Sequence, residues 1–188
     1  MSEIVAQAAK GILPEWSCAK PKRRAHIARV AELMTTWAAE LAPAHSHLWT
    51  AAAWLHDALR DAPADQLRAN LPAEFEDWPD PLLHGPAVAA RVRREDVNAP
   101  SSVLNAVTYH TVGHECLDQL GRALYLADYL EPGRKFDPVG RAALRERVPR
   151  EFQAVLRVVA AARIAHLTNS GSSLRPETAG FWQSIVRG

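Results

Sequence analysis

In the stretch AAAWLHDAL the chain is apolar on nearly every face of a helix, and the polar interruption is the pair His56-Asp57. A helix that is hydrophobic all round belongs in the centre of a fold. Residues 46–60 are therefore expected to form a central helix that carries an imidazole and a carboxylate into the interior. Burying an ionised carboxylate without compensation costs several kcal/mol at least. For an adjacent His and Asp, a metal ion is the commonest way to offset that cost.

The rest of the chain reads as helix almost throughout. In 23–42, Ile27, Val30, Met34, Trp37 and Leu41 recur at spacings of three and four, and Pro43 closes the segment. A proline-rich connection (Pro63, Pro72, Pro79, Pro81) follows, with room for a short helix at 64–70. Helices are expected at 82–95, at 102–111 after a Ser101 or Ser102 cap, and at 118–131, stopped by EPG. Two more are expected at 149–169, running into NSGSS, and at 176–186. No alternating apolar–polar run is bounded by hairpin turns, and no Asn-Gly or Asp-Gly turn occurs. The expected architecture is all-α: one domain over 1–188 with seven to nine helices, a core over about 22–170 and a helical appendage at 171–188.

Composition removes several function classes. At 188 residues the chain suits one domain with a real core. A net charge of +1 argues against an extended nucleic-acid surface, which needs a clear basic excess. The run KPKRR at 20–24 reads as a solvated helix start. Cys18 and Cys116 lack any CxxC or Cys/His spacing, which argues against a disulfide scaffold, a structural zinc site and an iron–sulfur cluster. The N-terminus MSEIVAQAAKGILPEW lacks the pattern of a signal peptide, and no apolar run reaches membrane-spanning length, so a cytoplasmic protein without membrane partners is expected. Tryptophans spread along the chain suit either a core or a homodimer interface. There is no Gly-rich phosphate loop and no G-x-S-x-G elbow. Phosphates, if bound, would have to be held by metals and arginines.

Other polar residues interrupt apolar helices at ordered positions. Asp128 lies within LYLADYL, His26 in the striped helix, His84 at a helix start in LLHGP, and His110 at the close of VLNAVTYH. One buried His is more often a hydrogen-bonded core residue than a ligand. Four His and two Asp placed this way form a joint pattern that favours a metal site. His45 and His47, beside Pro43, read as an approach to a helix, and His166 as a core or surface residue. Tyr109, Tyr125 and Tyr129, at helical spacing, read as core.

In the order His26 … His56-Asp57 … His84 … His110 … Asp128, the chain resembles the HD-domain metallophosphohydrolase superfamily, and within it the YqeK-type symmetrical diadenosine-tetraphosphate hydrolases. The segments RRAHIARV, AAWLHDALRD, LLHGPAVAA, VTYHTVG and YLADYLEPGRKF carry the resemblance, over about residues 22–178. His-Asp alone is weakly specific, whereas HGP, YHT-G and LADYLEPGR in this order are specific. The resemblance implies an HD-type helical bundle with a buried bimetallic site. One metal would be held by His26, His56, Asp57 and Asp128, the other by His84 and His110, with Asp57 bridging. Iron is the expected metal, with manganese or zinc as alternatives; an imidazole and carboxylate set without thiolate suits iron or manganese at least as well as zinc. Two metals ~3.5–4 Å apart can activate a hydroxide between them for attack at phosphorus. The implied substrate is a nucleotide, diadenosine tetraphosphate, cut symmetrically to two ADP, with Asp57 and Arg60 in the catalytic machinery.

The charged residues around that set depart in part from the family pattern. Arg60 stands where the family often has Lys in HD-x-x-K, exchanging a point charge for a planar fork. His114 stands where the family has Arg after YHT-G, making one expected phosphate contact pH-dependent. Arg122 replaces a common Lys, and Arg134 matches. Arg60, Arg122 and Arg134 are the better candidates for polyphosphate contact, with His114 as a weaker one. Gly113 suggests that the helix is ending there, so His114 does not read as a ligand paired with His110. Two alternatives stay open: hydrolysis of another nucleotide (a nucleoside monophosphate, a deoxynucleoside triphosphate or a cyclic dinucleotide), and a non-catalytic metal- or nucleotide-binding module.

Overall fold

Helix α3 (Ser46–Leu55) buries Trp49, Ala51, Ala52, Ala53 and Leu55 and has neighbours on every side. The computed structural model describes residues 3–69 and 71–187. The other α-helices are α1 (Glu3–Ala9), α2 (Pro21–Leu41), α4 (Ala64–Arg68), α5 (His84–Glu95), α6 (Ser101–Tyr109), α7 (Gln119–Leu130), α8 (Pro138–Arg147), α9 (Phe152–Asn169) and α10 (Pro176–Arg187). Three 3-10 turns lie at Pro43–His45, Ala73–Phe75 and Asp80–Leu82, and there is no strand among the described residues. The fold is all-α, as the periodicity implied. No helix of the described residues is long and apolar enough to cross a membrane.

Helices α1, α2, α6 and α7 pack around α3. Helix α2 starts where Pro21, which needs no intrahelical donor, follows an extended Lys20. Its apolar stripe, Ile27, Val30, Met34 and Trp37, is buried. Helix α5 lies close against α6 because residue 85 has no side chain. A Cβ on Gly85 would sit 2.6 Å from the Val107 carbonyl and 2.9 Å from that of Thr108, both backbone atoms that cannot swing aside. The HGP motif thus allows the approach that brings His84 to His110. The proline-rich connection before α5 is tied down by Arg68, which donates to Asp80 and to the Glu76 and Trp78 carbonyls. Phe75 and Trp78 are buried in the same connection and reach the Tyr109 ring.

Two of the ten α-helices among the described residues carry no pattern that announces them. Helix α1 is seven residues long and rests on α3. Helix α8 buries only Arg141 and so has no apolar stripe to detect. Helix α3 is also shorter than expected: after Leu55 the chain tightens into turns, with Ala58 N–H donating to the Leu55 carbonyl and Arg60 N–H to that of Asp57. The turn is held from outside the helix: the Ala58 carbonyl accepts from Cys18 N–H and the Ser17 hydroxyl. At the C-terminus, α10 puts Phe181 and Ile185 into the same apolar cluster that includes Val5 and Met34.

Candidate metal centre

Five segments converge on Asp57. His26 comes from the first turns of α2, the pair His56-Asp57 from the turn that ends α3, His84 from the start of α5, His110 from the end of α6, and Asp128 from the last turn of α7. All six side chains are buried, with His56 wholly enclosed.

The two oxygens of Asp57 face different imidazole pairs. Oδ2 lies 3.6 Å from Nε2 of both His26 and His56, whereas Oδ1 lies 3.1 Å from His84 Nε2 and 3.6 Å from His110 Nε2. Within each pair the Nε2 atoms approach closely, at 3.4 Å for His26 and His56 and 3.1 Å for His84 and His110. Asp128 Oδ1 completes the first group, 3.2 Å from His26 Nε2. Candidate ligand atoms of His26, His56 and Asp128 lie within 4.8 Å of one another, as do those of His56, Asp57 and His110.

The outward-facing nitrogens set the tautomers. Nδ1 of His56, His84 and His110 each meets the backbone carbonyl three residues back (Ala53, Pro81 and Val107) at 2.6, 3.1 and 2.8 Å. A carbonyl only accepts, so Nδ1 carries the proton and the neutral ring presents its Nε2 lone pair to the centre. His26 Nδ1 instead faces Glu131 Oε1 at 3.3 Å. Beside Asp57 Oδ1, two imidazole lone pairs and a carboxylate oxygen are therefore gathered with only the Thr111 hydroxyl as a nearby donor among the described residues, 3.0 Å from His110 Nε2. Such a group of acceptors calls for a cation, and a nitrogen–oxygen set without thiolate fits a divalent metal.

The electrostatics divide the same way. Burial opposes charge on His26, but hydrogen bonds to Asp128 and Glu131 prevail and raise its pKa to about 9. Burial lowers His56 to about 4 and also pushes His84 down. Burial would raise Asp57, yet the imidazoles of His56, His110 and His84 around it hold it well below the usual carboxylate range. Asp128 is held low against burial by His26 and Arg134. Glu131 falls to about 2, where His26, Arg29 and the Gly133 N–H outweigh burial.

Arg134 Nη2 donates to Asp128 Oδ1 at 2.6 Å, and Arg60 follows Asp57 by one turn, close enough for its charge to act on His84. Arg60 also lines a surface cavity of about 270 Å³ with Leu67, Asp80 and Pro81. The other two candidate contacts are held elsewhere. His114 stacks on Tyr109 with ring centroids 4.3 Å apart and accepts from Cys116 N–H, and Arg122 Nε donates to the Leu117 carbonyl. Neither makes a hydrogen bond or ion pair with the six clustered residues.

Sequence reasoning missed three residues. Arg23 leaves the supposedly solvated run KPKRR and donates through Nη1 to Asp57 Oδ2 at 2.6 Å. Its place three residues before His26, on the same helix face, was the available signal. Glu131, 2% exposed, orients His26 and accepts from Arg29 Nε at 2.6 Å; its signal was the three-residue spacing from Asp128. Thr111 follows His110 directly and had no signal of its own.

Comparisons with known proteins extend this geometry. The HD domain family model matches residues 23–133, a span that holds all six clustered residues. A protein of Bacillus subtilis (strain 168) named symmetrical bis(5'-nucleosyl)-tetraphosphatase is 34% identical over 93 residues, covering 47% of this chain and 50% of that protein. One of the same name from Halalkalibacterium halodurans is 26% identical over 148 residues, 65% of this chain and 78% of that protein. The match thus spans about half the length of the B. subtilis relative. A crystal structure from Clostridium acetobutylicum, titled as a predicted HD superfamily hydrolase involved in NAD metabolism, superposes with a TM-score of 0.74 over 97% of this chain and 95% of that one. At 22% identity that likeness is one of fold.

Proposed function

The chain belongs to the HD domain family, and from that premise we propose that it is a metal-dependent phosphohydrolase of nucleoside polyphosphates that cuts diadenosine tetraphosphate symmetrically. The observation that carries this reading is the division of Asp57, one oxygen toward His26 and His56 and the other toward His84 and His110. His26, His56, Asp57 and Asp128 would hold one metal, and His84, His110 and Asp57 the other. Iron is the proposed metal, with manganese or zinc as alternatives, since the ligands contain no thiolate to single out zinc. When bound, the pair supplies an activated water and neutralises charge developing at phosphorus.

The chain's own residues do the rest. The carbonyls of Ala53, Pro81 and Val107 fix three imidazoles with Nε2 inward, so that no ring has to turn when the centre assembles. Glu131 takes the proton side of His26. Arg23 and Arg134 each stand on an oxygen that faces the imidazoles, and both can turn to the non-bridging oxygens of a phosphate once those oxygens become ligands. Arg60 stands beside the His84 half. In the net reaction one water adds to one of the two inner phosphorus atoms, the bond from that phosphorus to the central bridging oxygen breaks, and two ADP leave. The names of the B. subtilis and H. halodurans relatives support this choice of substrate.

The test is chromatography of products from metal-loaded protein given a nucleotide panel. ADP as the sole product of diadenosine tetraphosphate is expected. Formation of ATP and AMP would overturn symmetrical cleavage. Cleavage of another nucleotide with diadenosine tetraphosphate left intact would overturn the substrate while keeping the class. If metal-loaded protein turns over nothing, a binding module takes the place of both.

A further inference from the structure

Arg141, in the first turn of α8, is 8% exposed, and its Nε and Nη1 are sealed from solvent without a hydrogen-bond partner. Its guanidinium carbon lies 4.1 Å from the Tyr129 ring centroid, with Phe136 at 6.0 Å. No carboxylate of the described residues lies within ion-pair distance of it; Asp137, whose field reaches it, caps α8 by accepting from Gly140 N–H. A cation–π contact is a weak attraction. Leaving donors of a charged group buried and unsatisfied costs more than that contact returns. The ring alone therefore does not account for the position of this charge.

One further arginine lies against the same ring, and Arg134 is near enough for its charge to act on Arg141. Arg163, on α9, places its guanidinium carbon 4.9 Å from the Tyr125 centroid and 5.8 Å from that of Tyr129. Among the described residues it has no carboxylate partner either; its Nη2 donates to the Thr111 carbonyl, and the Thr111 hydroxyl touches His110 Nε2. Arg134 bonds to Asp128 Oδ1. The row thus meets the proposed metal centre at both ends, at Asp128 through Arg134 and at Thr111 through Arg163. Arg134, Arg141 and Arg163 all lie outside the span matched by the HD domain family.

We propose that Arg141 and Arg163, set against Tyr129, form, with Arg134 at the edge of the metal centre, a polyanion subsite that takes the phosphates lying beyond the one being attacked. Planar guanidinium forks suit non-bridging phosphate oxygens, and an anion here would satisfy the donors that Arg141 leaves unpaired. The subsite is a part of the polyphosphate reading above and rests on it for its substrate, but its anion-binding chemistry is testable alone.

The experiment is calorimetric titration of inorganic tripolyphosphate into full-length metal-free protein, with unfolding temperature as the fold control. Wild type is expected to bind, and Arg141→Met to weaken binding by about tenfold to a hundredfold without lowering the unfolding temperature. Arg163→Met, which leaves Arg141 in place, gives a second arm with a smaller loss. In the metal-loaded enzyme, Arg141→Met should raise KM for diadenosine tetraphosphate and leave turnover of bis(p-nitrophenyl) phosphate, which carries no further phosphates, unchanged. Binding of tripolyphosphate equal to wild type in both variants, or no binding by wild type, overturns the subsite. If no polyphosphate is hydrolysed yet the binding losses appear, the subsite stands and the substrate reading falls. Normal diadenosine tetraphosphate kinetics in both variants would remove the subsite and leave the enzyme.

Discussion

The two halves of the centre meet at one carboxylate and are built differently. Around Asp57 Oδ2 gather His26, His56, Asp128, Glu131, Arg23 and Arg134, a dense set of charges in which His26 is driven toward the protonated form. Around Oδ1 stand His84, His110 and the Thr111 hydroxyl, with no second carboxylate among the described residues and with burial favouring neutral His84. The difference teaches how one side chain would serve both cations of the proposed centre, one on each oxygen. The first half offers more negative charge but yields a proton for its metal. The second offers lone pairs that are already free and leaves more positions open to water and phosphate.

Asp57→Asn attacks what the halves share. It should remove the bridge and cut kcat by about a thousandfold or more, the scale of losing a central electrostatic group. Metal analysis of the same sample should find less than the wild-type content, and full content with full turnover would sink the two-half description.

Gly85→Ala acts on one half. By pushing α5 off the Val107 and Thr108 carbonyls it should misplace His84 and lower the affinity of the second metal by about a hundredfold, while the first stays in place. Stepwise metal titration, with unfolding temperature as control, separates this from general loss of fold.

Glu131→Gln acts on the other half. Losing the carboxylate behind His26 should weaken the first metal by about tenfold to a hundredfold, as for other groups that orient a ligand imidazole, and should bring the His26 pKa down from about 9. NMR of the imidazole protons in metal-free protein reads the second effect directly.

The mildest test is pH. The proton on His26 must leave before a metal binds, so affinity at the first half should rise by about tenfold per unit until pH reaches about 9, then level off. His84, with a lowered pKa, is already neutral at pH 7, so it should add nothing to that rise. Competition titrations with Mn²⁺ from about pH 6.5 to about 9 would show equal slopes if the contrast is false.

Much of this is legible in the sequence. The helices show because the apolar stripes of α2 and α5 to α7 repeat locally, and the six clustered residues show because each interrupts such a stripe. Helix α8 is hidden because Arg141 is its sole buried side chain, and a charged residue does not mark an inward face. The turn after α3 is hidden because the groups that bond the Ala58 carbonyl lie about forty residues earlier in the chain, at Ser17 and Cys18. Arg23 looks like one more charge in a basic run, since nothing in KPKRR says which arginine turns inward. Motif position carries no information on what a side chain turns toward: His114 and Arg122 bond the loop before α7.

The sequence by itself determined that four imidazoles and two carboxylates would be buried on helices or just past their ends, because hydrophobic periodicity is a property of neighbours along the chain. Only the tertiary structure decided that Asp57 Oδ1 meets His84 and His110 while Oδ2 meets His26, His56 and Arg23. Apart from the adjacent His56, those contacts join positions on different helices, far apart in the chain. Their distances depend on how closely the helices pack, down to the missing side chain at Gly85.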